Sequence, residues 1–161
     1  MTEKQLKRRI RAWLVIFIVG LALSGITAFP IETELAFLVN HAGALPATVV
    51  NWITTVYNAV HATNQTYPYL AYGTDWLAFG HLVIATTFIG PLKDPVRNIW
   101  VLQFGMIACV MVFPLAFIAG PIRGIPFYWR LIDCSFGLFG IIPLWICYRD
   151  IRRLEKLQSK S

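Results

Sequence analysis

His81 is an imidazole set in an otherwise apolar run, and Asp75 and Asp133 are carboxylates near the ends of two such runs. An ionisable side chain inside a membrane span costs about 2.5–3.5 kcal/mol on insertion scales, so it faces a partner or a water-filled cavity and marks a candidate site. With His81 as general base or metal ligand and Asp133 and Asp75 as its carboxylate partners, the expected chemistry is metal-assisted or general-base hydrolysis or group transfer. Arg123 and Arg130 supply cations for an anionic group such as a lipid phosphate, which makes a lipid or lipid-linked molecule the expected substrate. Arg130 and Asp133 also stand three residues apart on one helical face, a spacing that allows a purely local ion pair.

The histidines widen the possibilities. His41, His61 and His81 map to one side of the membrane by the charge pattern below, and three imidazoles with a carboxylate suffice to hold zinc or another transition metal. Glu34, two helical turns before His41, is placed to join them. Each residue also has a structural reading: a hydrogen-bonded surface histidine at 41 and 61, a satisfied buried one at 81. The second function class is accordingly a non-catalytic ligand-binding or assembly subunit of a membrane complex, whose polar residues only hold helices together. Its partners would be membrane lipids and a membrane protein or a second copy of the chain.

The elements that position these residues follow from composition. The chain is 57% hydrophobic and 14% charged, against about 45–50% and 25% in a soluble domain. A mean hydropathy of +0.61 excludes a disordered chain and an ordinary cytosolic enzyme. Residues 12–31 run uncharged for about 20 positions, enough to cross a hydrocarbon core of ~30 Å. Residues 75–92, 98–122 and 127–148 supply three more spans. The expected fold is all-α: an integral membrane protein forming a single membrane domain of four transmembrane helices, with two short amphipathic helices on its outer face.

Charge sets the expected orientation. Twelve of the 14 basic residues precede the first span, join the second to the third or follow the fourth; with the four acids there, that side carries +8 and the other −2. The positive-inside rule then places both termini in the cytoplasm of a multi-pass protein of the plasma (inner) membrane. The net charge of +6 is therefore topology, and no nucleic-acid partner is expected. The outer segment, roughly residues 31–62, repeats apolar residues at Ile31, Leu35 and Leu38 and again at Val49, Ile53, Val56 and Val60, as amphipathic helices do. Tyr67, Tyr69, Tyr72 and Trp76 then enter the second span as an interfacial aromatic belt.

At ~1.5 Å per residue from the cytoplasmic edges, His81 lies ~18 Å up its span, Asp133 ~24 Å, Asp75 ~27 Å and Arg130 ~28 Å, all in the outer half. Cys109, Cys134 and Cys147 fall within spans and none in the outer segment, so a disulfide framework is not expected. No H-E-x-x-H, C-x-x-C, G-x-S-x-G or phosphate-loop motif occurs. Gly20 with Ser24, and Gly137 with Gly140, offer small-residue helix contacts, and Gln103 an interhelical hydrogen bond. The basic termini are expected to grip anionic lipid headgroups.

Overall fold

A computed structural model describes residues 1–159 and is helical, with no strand among the described residues. Lys160, counted above in the C-terminal basic segment, lies outside the described residues. The helices are α1 (Glu3–Ala28), α2 (Ile31–His41), α3 (Ala47–Thr66), α4 (Ala71–Thr87), α5 (Ile89–Lys93), α6 (Ile99–Pro114), α7 (Gly120–Ile122) and α8 (Phe127–Gln158). Proline punctuates them: α1 stops two residues before Pro30, while Pro46 and Pro126 are the N-caps of α3 and α8. The residue before a proline is driven out of the helical region, and proline itself lacks an N–H that a first turn does not need. Pro114 has the same effect inside a long helix, where the i to i−4 ladder slips into a π-helical turn over Leu115–Ala119.

Four stretches are long and apolar enough to cross a membrane: Glu3–Ala28, Pro68–Lys93, Ile99–Ile122 and Phe127–Gln158. They match the four spans expected from sequence, but α1 and α8 run well past them into the basic termini. The segment around residues 31–62 is helical as expected, although α3 spans 20 residues and is not short.

The chain divides into two compact units, with boundaries after Gly20 in α1 and after Ile84 in α4. The first unit joins Met1–Gly20 to the chain from Ala85 onward. Its core is one cluster in which Leu6, Ile10 and Leu14 of α1 meet Leu144, Cys147, Ile151 and Leu154 of α8, closed by Phe88, Val101 and Leu102. Phe17 and Phe88 pack ring to ring at 4.7 Å. α6 lies close along α8 because Gly137 has no side chain: a Cβ there would sit 2.5 Å from the Cys109 carbonyl oxygen, and Gly140 faces the Cys109 sulfur.

The second unit, Leu21–Ile84, holds the end of α1, most of α4 and the pair α2 and α3, joined by a tight turn at Ala42–Ala44. Ile53 and Ala42 are its buried apolar side chains in that pair. The small residue that brings α1 onto α4 is Gly25, which faces the Ala78 carbonyl and the His81 Cβ. Gly20, expected with Ser24 to offer a small-residue helix contact, has open space around it. Gln103, expected to bond between helices, lies on the exposed face of α6.

Candidate functional site

In the second unit, each histidine is held by a bond close at hand. His41 Nδ1 donates to the Phe37 carbonyl at 2.8 Å, and its ring stacks on Phe37 at 4.2 Å. His81 Nδ1 donates to the Leu77 carbonyl at 2.8 Å, one turn back along α4. Both are bonds within a single helix, and both leave Nε2 available. His61 reaches out of its own helix, placing Nδ1 2.6 Å from Glu32 on α2. The expected three-histidine metal centre of His41, His61 and His81 is not assembled: among the described residues no three histidine, cysteine or acidic side chains gather as a metal-holding group. Equal spacing of 20 residues along the chain does not bring imidazoles together once each is tied to its own surroundings.

Asp75 is half-buried on α4, six residues before His81 and therefore turned to another face. It lines a hollow of about 380 Å³ with Phe29, Tyr72, Trp76 and Phe79. The last three aromatics recur at helical spacing and meet edge to face, Tyr72 with Trp76 and Trp76 with Phe79, each at 5.9 Å.

The one charged cluster in this unit that sequence reasoning missed is Glu32. It accepts from Asn64 Nδ2 at 2.6 Å as well as from His61, and so clips α2 to α3. These hydrogen bonds, Asn64 first and His61 second, hold the Glu32 carboxyl below its ordinary range. The sign follows: a carboxylate with a depressed folded-state pKa stabilises above its unfolded value, near 4.3, and loses that contribution as the pH falls through the folded value. Protection of α2 and α3 amides from deuterium exchange, corrected for intrinsic rates, is expected to drop as the pH is lowered below ~4. Glu32→Gln is expected to show reduced protection already at neutral pH and no further acid loss.

In the first unit, Asp133 is half-buried on α8 and does not pair with Arg130 among the described residues. The local ion pair that the spacing allows does not form, because packing selects another conformation for the arginine. Its stem crosses Gly120 and its guanidinium lies 5.2 Å from the centre of the Phe127 ring. Arg130 Nε is enclosed without a hydrogen-bond partner. Arg123, at the end of α7, is exposed.

The most deeply buried ion pair among the described residues of this unit joins residues that sequence reasoning left unassigned or gave to lipid. Arg9 makes two hydrogen bonds to Asp150, Nε to Oδ2 at 2.5 Å and Nη2 to Oδ1 at 2.6 Å, and Asp150 is fully buried. Nearby, the Cys147 thiol donates to the Ile10 carbonyl at 3.5 Å. A signal was available: Pro143, Cys147, Asp150 and Leu154 recur at a spacing of three to four, placing one carboxylate on an apolar stripe.

The fold and these contacts define a class, an all-helical bundle with four helices long and apolar enough to cross a membrane. Comparisons with protein-family models, with curated proteins and with solved structures gave no match.

Proposed function

We propose that the chain is a non-catalytic, multi-pass membrane subunit that binds a ligand or helps assemble a complex, with both termini in the cytoplasm of the cell that bears it in its plasma (inner) membrane. The orientation rests on the +8 and −2 division of charge. The observation that carries the reading is the state of His81: its Nδ1–H is spent on the Leu77 carbonyl, and α4 offers it no carboxylate on the same face. A backbone carbonyl can fix the imidazole tautomer as well as a carboxylate can, so the weight falls on the missing carboxylate, the charged partner that would stabilise the imidazolium of a general base.

The competing reading is hydrolysis or transfer on a lipid substrate through His81, Asp133 and Asp75, with Arg123 and Arg130 binding the anion. One observation favours it, the free Nε2 of His81. Purified protein in nanodiscs, analysed for bound transition metals and for lipid turnover by mass spectrometry, separates the two. We expect no stoichiometric metal and no turnover, with His81→Ala and Asp133→Asn changing only the unfolding temperature. Metal or turnover that disappears in His81→Ala at unchanged stability would establish the enzymatic reading instead.

A further inference from the structure

We infer that the first unit carries a binding seat for the phosphate of an anionic lipid headgroup, in a cleft between the start of α1 and the end of α5. The cleft has a volume of about 370 Å³. Lys4, Lys7, Arg8 and Arg11 line it from α1 and Lys93 from α5. The four α1 positions recur at three- and four-residue steps, so they form one face of the helix. No acidic side chain lines the cleft.

Four of these five cations are not already neutralised by a carboxylate among the described residues. Lys7 pairs with Glu3 at 2.7 Å, and Arg9, one position from Arg8, is turned away to Asp150. Lys4, Arg8, Arg11 and Lys93 make no ion pair with a carboxylate among the described residues. They are also held in place. The adjoining face of α1 is buried through Leu6, Ile10 and Leu14 in the core of the unit, which fixes the helix and with it the backbone of the basic face. Ile10 and Pro91, both buried, and Leu92, half-buried, add an apolar lining.

The position suits a lipid better than a soluble anion. Arg11 immediately precedes the uncharged run from Ala12, and Lys93 immediately follows the run that ends at Leu92. Both cations therefore stand where two apolar stretches meet their polar ends, the level of a bilayer's phosphates. Basic pockets at the ends of membrane helices bind anionic headgroups, and arginine presents its donors in a fork that matches phosphate oxygens. The apolar lining accommodates the first carbons of the lipid beyond the phosphate. This inference is independent of whether the chain is an enzyme.

The test is native mass spectrometry of the full-length protein titrated with phosphatidylglycerol or phosphatidylcholine, with inorganic phosphate as competitor. The seat predicts preference for phosphatidylglycerol, and a loss of roughly tenfold or more in the variant Arg8→Gln/Arg11→Gln/Lys93→Gln. The matched variant Arg149→Gln/Arg153→Gln/Lys156→Gln, which removes three exposed charges of α8 outside the cleft, is expected to stay within about twofold of the parent. Thermal unfolding in zwitterionic detergent checks that each variant folds. If the first does not, Lys93→Gln alone replaces it, with a several-fold loss expected. Equal losses in the cleft and α8 variants would overturn the proposal in favour of diffuse surface attraction. Displacement of the lipid by millimolar inorganic phosphate would overturn the lipid as the source of the anion.

Discussion

Arg9→Ala is expected to destabilise the protein by about 3–5 kcal/mol, because it strands a buried carboxylate. Asp150 has no solvent exposure and takes both of its close hydrogen bonds from the Arg9 guanidinium. Around it stand Cys147, Ile151 and Leu154, all buried. Without the guanidinium the carboxylate must ionise in an apolar surrounding or take up a proton, and either outcome costs free energy relative to the pair. The two partners are not equivalent. The Arg9 side chain is 34% exposed, so in Asp150→Ala the freed guanidinium can extend along its stem to water, and a smaller loss is expected than in Arg9→Ala. The double variant Arg9→Met/Asp150→Leu is expected to lie near the parent or above it, since a buried ion pair replaced by apolar side chains of similar size is often neutral or stabilising. Unfolding of the four proteins in the same detergent gives the comparison. Equal, small losses below about 1 kcal/mol in both single variants would mean that the pair behaves as a solvated surface contact.

Gly137→Ala is expected to cost about 1–3 kcal/mol, and Gly137→Leu to prevent α6 and α8 from packing. The added carbon meets the backbone of Cys109, at 2.5 Å from its oxygen and 3.4 Å from its carbonyl carbon, and then the Phe113 ring at 3.5 Å. A flexible side-chain tip could give way, but a helical backbone can yield only by moving the helix. Gly20→Ala is the internal control with the opposite sign. Nothing lies within 4 Å of a Cβ at Gly20, so alanine there should stabilise α1 by up to about 1 kcal/mol through its higher helix propensity. Thermal unfolding of the two alanine variants, measured side by side, should therefore bracket the parent.

The sequence by itself was enough to locate the four apolar stretches and the small residues Gly137 and Gly140 as a helix contact. These depend on local quantities: apolar length against bilayer thickness, and the absence of a Cβ. The helical continuation of both termini was partly legible as well. Leu6, Ile10 and Leu14, and Cys147, Ile151 and Leu154, keep a helical period through segments whose charge density suggested only lipid contact.

What the tertiary structure alone decided is which polar groups find each other. An i, i+3 spacing permits Arg130 to meet Asp133, yet the arginine lies over Gly120 and Phe127. Placement on one side of the membrane likewise made three histidines candidate ligands of one metal, whereas His41 and His81 bond to their own helices and His61 to Glu32. Arg9 and Asp150, 141 residues apart, form the buried pair that no local spacing specifies. The physical reason is the range of the interactions. Helix formation and membrane partition are set residue by residue along the chain, but the strength of a charged contact depends on burial and on exact side-chain placement, and both come into being only when separate helices pack.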